Sequence, residues 1–429
     1  MKVTQLRSLS GKEYTRIVAR SLGTNNDIMP QVQNILDTVK KNGDRALLSK
    51  YQSRYGADVY TSIQVTPGEI REAYSRTTKE TIRALTQMRK NITAVHSAQL
   101  PKKTDTVVAT EPGISVWREW RPIEKVGLYI PGGKAIYPSS VLMSAIPAQI
   151  AGCSEIVLCS PPDRNGKMPS TTVVAADMLG ITKLYKIGGA EAIAAMTYGT
   201  ETVPAVYKLF GAGNSYVTAA KMLAFGKVAI DMPAGPSEIF IIADESANPA
   251  YIGADLLADG EHGEDSACVL LTTSRRIAEE TIREITKQLK SLPTASRARE
   301  SIRRYGLFAV ARSIEEAIAF TNVYAPEHLE IITKRPRSVV KQIVNAGSVF
   351  VGAYTSKATG DYATGANHVL PTGGMAKMYP PLGVDAYGKW MQVQSCSKKG
   401  LSTIRRTIET IAMVEELPAH KNSVSVRFE

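Results

Sequence analysis

The strongest constraint on this chain is a rhythm of short apolar runs alternating with amphipathic stretches, and it occurs in two separate passages. In the first, Lys125-Val-Gly-Leu-Tyr129 reads as a strand, Val141 to Ala151 as a helix and Glu155-Ile-Val-Leu-Cys159 as a strand. Thr171 to Leu179 (helix), Leu184 to Ile187 (strand) and Ala190 to Met196 (helix) continue it. The second opens at Glu238-Ile-Phe-Ile-Ile-Ala243 and runs through Val269 to Thr272, a helix from Ile277 to Leu289, and Leu307 to Val310. A helix from Ile314 to Asn322 and a strand from Gly347 to Val351 close it. Strands joined through helices at this spacing form parallel βαβ units with right-handed crossovers. The predicted fold class is therefore α/β, with two Rossmann-like domains built on parallel sheets and small N-terminal and C-terminal helical or tail pieces. A length of 429 residues allows two such cores.

Local signals divide the remainder. Val32, Ile35, Leu36 and Val39 recur at helical spacing after Pro30, and Asn42-Gly43 is a helix stop. Thr66-Pro67-Gly68-Glu69 combines a capping threonine, a first-turn proline and a glutamate at the third helical position, predicting a helix towards Ala94 and a helical hairpin. Lys125 to Tyr129 runs into the turn Pro131-Gly132-Gly133, and glycine turns after strands form ligand loops in α/β proteins. After Gly374 the pattern is less regular until a helix from Ser402 to about Glu416, and His420 to Arg427 reads as a docking tail. The expected division is an N-terminal arm (1–29), a first α/β domain from 30–128 and 238–374, a second α/β domain (129–237) on the cofactor side, and a C-terminal tail (375–429) docking on a partner subunit.

Composition bears mainly on what to exclude. The formal charge of +12 is dispersed in small groups such as Lys102-Lys103 and Lys398-Lys399, and aromatics make up only 7%. No basic stripe is present, so the expectation is no nucleic acid and no membrane partner, although the field would attract an anionic ligand. The first residues lack the apolar segment of a secretory signal, which predicts a cytoplasmic location. Cys153, Cys159, Cys268 and Cys396 form no CxxC pair, and the expectation is reduced, packed thiols.

Histidine is scarce, with five in the chain, and four of the five interrupt apolar patterns in polar motifs. His96, near the end of an amphipathic helix, reads as a satisfied core or surface group. Asp259 and His262 are three residues apart, placing them on one helical face, where both can reach a Zn²⁺ ion; the competing reading is an acidic, solvated helix end. In Tyr324-Ala-Pro-Glu327-His328 an acid and a base are adjacent at a loop, an arrangement suited to proton transfer. Gly360-Asp361 to His368 is polar and glycine-rich after a strand, so its side chains can approach a ligand closely.

These segments also carry a resemblance. Gly127 to Gly133, Phe210-Gly-Ala-Gly-Asn214, Gly235-Pro-Ser-Glu238, Glu261-His-Gly263, Tyr324 to Leu329, Gly347 to Gly352, Gly360-Asp-Tyr-Ala363, Asn367 to Thr372 and Ala419-His-Lys-Asn422 stand in the order found in histidinol dehydrogenases. Over nearly its whole length the chain resembles that family. The resemblance implies zinc ligation by His262, Asp361 and His420, with Asp259 at the remaining ligand position, and acid–base chemistry at Glu327 and His328. It implies substrate contacts from Ser237, His368 and Glu415, joined by Asp259, His262, His328, Asp361 and His420. Cofactor contacts fall to Tyr129, Glu191 and Asn214, and a homodimer is implied in which the tail carries His420 to the other subunit's site. The implied reaction is zinc-dependent, NAD-linked, four-electron oxidation of L-histidinol to L-histidine through the aldehyde; the alternative is a different small polar primary alcohol. No GxGxxG fingerprint supports NAD independently.

The sequence departs from the family near the ligands. Asp259 and Glu191 both stand where the family usually has glutamine, Ala267 also replaces a common glutamine, and Lys134-Ala-Ile-Tyr137 differs from the usual run of small residues.

Overall fold

The computed structural model describes residues 1–20, 26–132, 135–233 and 235–429. Gly133, Lys134 and part of the N-terminal arm (21–25) lie outside the described residues.

Two parallel sheets dominate. One has five strands in the order Lys183–Tyr185, Glu155–Cys159, Lys125–Tyr129, Lys208–Phe210, Ala229–Ile230. The other has six, in the order Val3–Gln5, Leu307–Val310, Ala267–Thr272, Glu238–Ala243, His328–Ile332, Ser348–Val351. Every pairing in both is parallel, as the strand–helix rhythm requires. Strands such as Ala267–Thr272 are buried at every position because helices cover both faces of the sheet.

The grouping of the helices differs from the sequence expectation. Residues 30–128 were placed with 238–374, yet helices Met29–Tyr55, Pro67–Arg76 and Lys79–Ser97 pack on Gly189–Tyr198, Ser170–Asp177 and Pro138–Ala151 respectively, around the five-stranded sheet. Their apolar faces explain it: Leu36 and Leu47 enter one core with Ile193 and Val217, while Leu85 and Ile92 enter another with Leu128 and Val141. The capping box at Thr66 and Glu69 is formed, but the helix it starts stops at Arg76 and a second begins at Lys79. Gly43 marks a kink (φ +51°) inside Met29–Tyr55, a stop signal overridden by packing on both sides.

The region after Gly374 is more ordered than its pattern implied. Gly388–Cys396 pairs antiparallel with Ile114–Pro122, which also pairs with Val108–Glu111. Helices Lys398–Val414 and Pro418–Ser425 follow and pack on each other, so the expected tail is helical. The N-terminal helix Gly11–Ala19 lies on the six-stranded sheet through Tyr14, Ile17 and Val18. His96 is fully buried, with Nδ1 2.9 Å from the Ile92 carbonyl. All four cysteines are free; Cys396 is exposed, contrary to the packed position expected of it. Among the described residues no helix is long and apolar enough to cross a membrane.

Candidate active site between the two sheets

A cavity of about 410 Å³ lies between the sheets, which present opposite ends to it. From the five-stranded sheet come Tyr129, at the carboxyl end of its strand, and Gly211 to Asn214, which lead from strand Lys208–Phe210 into helix Ser215–Ala224. Gly211 (φ +113°) is required here, since a Cβ would sit 2.0 Å from the Tyr129 carbonyl oxygen. Asn214 caps the helix, its Oδ1 accepting from Val217 N at 3.2 Å, and Tyr129 Oη accepts from Gly189 N at 3.2 Å. Exposed N–H groups at such a helix start suit an anionic ligand. Glu191 is not part of the lining: it is buried in the first turn of Gly189–Tyr198 and paired with Lys50.

The six-stranded sheet contributes the amino ends of its strands. His328 opens strand His328–Ile332 instead of lying in a loop, and Glu327 precedes it. The preceding helix ends at Tyr324, with Ala325 in the left-handed region (φ +53°), a costly conformation for a residue with a Cβ, held by the packing on either side. His328 Nδ1 lies 2.9 Å from the Glu238 carbonyl, so Nδ1 carries the hydrogen and the buried Nε2 keeps its lone pair, with no partner among the described residues. Burial, reinforced by the Lys357 charge, pushes the imidazole down to about 4 and keeps it neutral. Burial, reinforced by the negative charge of Asp259, drives Glu327 well above the ordinary carboxyl range. Glu327 Oε2 accepts from Glu238 N at 2.8 Å, so the backbone of a single residue of the neighbouring strand aims both groups.

Asp259 is fully buried, which removes the solvated helix-end alternative; helix Pro249–Gly260 ends beside it, and His262 lies just beyond that end. Ser237 Oγ is 2.8 Å from Asp259 Oδ1 and 3.0 Å from Glu327 Oε2. With one hydrogen to give, it serves one carboxylate at a time, and the raised Glu327 pKa fits a proton on that side donating to Ser237. His262 Nδ1 lies 3.1 Å from the Asp259 carbonyl, which leaves Nε2 free. His262, Asp361 (in helix Lys357–Tyr362) and His368 belong to the lining, whereas Asp259 lies behind it; His368 spans the Asp361 carbonyl (3.2 Å) and Ser140 Oγ (2.9 Å).

Three further residues were not assigned roles from sequence. Lys357, buried to 2% exposure, places Nζ 2.8 Å from Asp361 Oδ2 and 3.3 Å from Asp259 Oδ1. Burial works against its charge, but Asp259 and Asp361 outweigh burial and raise its pKa. Its i,i+4 spacing from Asp361 was the available signal. Glu238, a lone charge opening an apolar strand, pairs with Arg20 at 2.9 Å, and the Arg20 guanidinium lies 3.4 Å above the Tyr324 ring. Arg20 also donates to the Tyr324 carbonyl at 2.7 Å, bracing the turn into Glu327.

The single chain does not assemble the whole expected set. Glu415 and His420 are exposed near the junction of the C-terminal helices and are absent from the cavity lining. Among the described residues, no three His, Cys, Asp or Glu side chains converge closely enough to hold a metal ion; the four-residue ligand set of Asp259, His262, Asp361 and His420 is therefore not formed within one chain. Lys357 stands between two of those four.

The family model for histidinol dehydrogenase matches residues 18–428. The chain belongs to the histidinol dehydrogenase family. It is 47% identical to a histidinol dehydrogenase from Bacteroides fragilis, over 97% of both chains, and 42% identical to one from Clostridium acetobutylicum, over 100% of this chain and 99% of the other. The crystal structure of histidinol dehydrogenase from Elizabethkingia anophelis superposes with a TM-score of 0.92 at 42% identity, covering 98% of this chain and 96% of that one. The chain is thus an oxidoreductase of the histidinol dehydrogenase type, with the α/β architecture expected of it.

Proposed function

We propose that this chain oxidises L-histidinol to L-histidine through the aldehyde, with two NAD⁺ in turn and a zinc ion in the substrate half of the cavity. The observation that carries the reading is His328: a buried, neutral imidazole with its Nε2 lone pair unpartnered, next to a carboxyl of raised pKa.

The donor set suits zinc. Among the described residues, Asp259 Oδ2 is a buried oxygen without a partner, and the second nitrogen of His262 has none either. With Asp361 these are the nitrogen and oxygen donors that zinc takes, and the hydrogen bond from His262 Nδ1 to a carbonyl is the usual orienting contact of a ligating histidine. His420 would complete the set from a second copy, bringing Glu415 with it. Exposed Ile411, Met413 and Val414 at the end of helix Lys398–Val414, with Leu417 in the turn after it, are the kind of surface that such a homodimer would cover. When bound, zinc supplies a positive centre that anchors the amine and imidazole nitrogens of the substrate. Tyr129 and Asn214 would flank the dinucleotide, whose nicotinamide accepts hydride; Glu191 would reach it only on leaving Lys50.

In the first half-reaction His328 Nε2 takes the hydroxyl proton as hydride leaves the alcohol carbon. In the second, Glu327, once deprotonated, takes a proton from the water that attacks the aldehyde carbon; the resulting gem-diolate loses hydride to the second NAD⁺ and its remaining hydroxyl proton to His328, which has released the first proton to solvent, leaving the carboxylate. A raised pKa brings Glu327 closer to working pH and makes it a stronger base when ionised. Ser237 holds Glu327 and Asp259 in register, and His368 borders the substrate.

The test is stoichiometry with zinc-loaded protein: two NADH formed per L-histidine released, activity lost to a chelator and regained with zinc. Turnover of another primary alcohol, with none of histidinol, would overturn the substrate assignment in favour of the alternative reading.

A further inference from the structure

Lys221 lies in helix Ser215–Ala224, beyond the helix start that borders the cavity, with its side chain only 3% exposed. Its ammonium has three hydrogens, and three oxygens receive them: the Gly211 carbonyl at 3.0 Å, the Met232 carbonyl at 3.0 Å and Asp231 Oδ1. None remains for a ligand, and among the described residues Lys221 is not part of the cavity lining. Asp231, itself 4% exposed, uses its second oxygen to accept from Gly211 N at 2.8 Å. One glycine is therefore held at both of its polar groups, the carbonyl by the lysine and the N–H by the aspartate. That glycine opens the turn Gly211 to Asn214 at φ +113°, where no side chain fits against Tyr129.

A buried ion pair is weak evidence for a stabilising role, because desolvation offsets much of the attraction. What this pair does is geometric. It draws the Gly211 carbonyl, with its partial negative charge, onto a buried cation, so that this oxygen is not presented to an anion in the cavity. Through Met232 it also ties the turn to the chain that leaves the five-stranded sheet and continues to Gly235 and Ser237, both in the cavity lining. Ser237 in turn meets Glu327. We propose that Lys221 is a positioning residue for the dinucleotide: with Asp231 it preforms the turn from Gly211 to Asn214 and fixes it relative to the chain that crosses to the acid–base pair. The inference rests on the dinucleotide reading above. A ligand entering a preformed turn does not have to order it, so the clamp contributes to affinity without touching the ligand.

Three variants of the full chain test this: Lys221→Met, Lys221→Met combined with Asp231→Asn, and Leu128→Ala as a substitution in the core of the same sheet. NADH affinity is read by fluorescence titration, KM for histidinol by steady-state kinetics, stability by melting temperature, and the backbone of the turn by amide hydrogen exchange. Lys221→Met should weaken NADH binding about tenfold, the scale of a turn that must be ordered on binding, with KM for histidinol unchanged and faster exchange at residues 211–214. The double variant removes the stranded carboxylate and should regain much of the melting temperature. Its NADH binding should stay weak, because the Gly211 carbonyl still lacks its cation. Leu128→Ala should lose stability and keep the parent's NADH affinity. NADH binding as tight as the parent's in either Lys221 variant, or equal weakening in Leu128→Ala, would overturn the proposal. If Lys221→Met does not fold, the double variant carries the comparison. If the parent binds no NADH, the dinucleotide reading has failed, and exchange at the turn decides the clamp: rates raised by Lys221→Met and not by Leu128→Ala uphold it, and equal rates overturn it.

Discussion

The two halves of the cavity are built from the same kind of sheet used in opposite directions. The five-stranded sheet offers carboxyl ends of strands and the start of helix Ser215–Ala224, the usual ligand side of an open α/β sheet. There the helix dipole is positive and backbone N–H groups are free, an environment for anions. The six-stranded sheet offers amino ends, with helices Pro249–Gly260 and Ile314–Tyr324 ending beside them. Helix C-termini favour cations, and this half holds Lys357, Arg20 and the residues suited to a metal. The polarity of the elements therefore divides the cavity into a half suited to anions, where the proposed function puts the dinucleotide, and a half suited to cations, where it puts proton transfer. Both halves bury ionisable groups, Lys221 with Asp231 on the five-stranded side and Glu238, Glu330 and Asp259 on the six-stranded side, where burial pushes Asp255, on the adjoining helix, up to about 6.

The sharpest test of that division is at the acid–base pair. His328→Asn and Glu327→Gln should each lower turnover by about 10²–10⁴-fold, with denaturant unfolding close to the parent's; a matching loss of stability would mean that the two residues serve the fold.

Next in size is a pair of substitutions, one in each half. Arg20→Ala strands Glu238 in a buried site and should cost about 3–5 kcal/mol, with a fall in kcat because Glu238 aims both catalytic side chains. Leu128→Ala, in the core of the five-stranded sheet, should cost a comparable 2–5 kcal/mol or so while kcat of the folded fraction is retained. Unfolding curves and kcat measured together would separate them, and equal effects on kcat would break the comparison.

The smallest effect concerns Asn214→Ala, which removes a helix cap worth about 1 kcal/mol. It should raise KM for NAD⁺ by a few-fold and leave that for histidinol unchanged. A rise confined to histidinol would put the helix start in the wrong half.

Local signals in the sequence determined most of the elements. Strands such as Glu238–Ala243 and Leu307–Val310 were legible because apolar runs bounded by turn residues are short-range patterns, and the Thr66–Glu69 capping box lies within one turn. Glu327 and His328 stood out because they are adjacent, and both line the cavity with His262 and Asp361; the roles proposed for these residues and for Asp259 rest on family likeness. Tertiary structure alone decided the rest. The pairing of Gly388–Cys396 with Ile114–Pro122 joins segments far apart in the chain, and the choice of the five-stranded sheet by helices 29–97 depends on which apolar face meets which core. The ionic partners of Asp259 and Glu238, at Lys357 and Arg20, were equally hidden. Hydrophobic periodicity reports that a side chain is buried, but the field around a buried charge is set by whatever the fold brings within a few ångströms, and no local pattern encodes that.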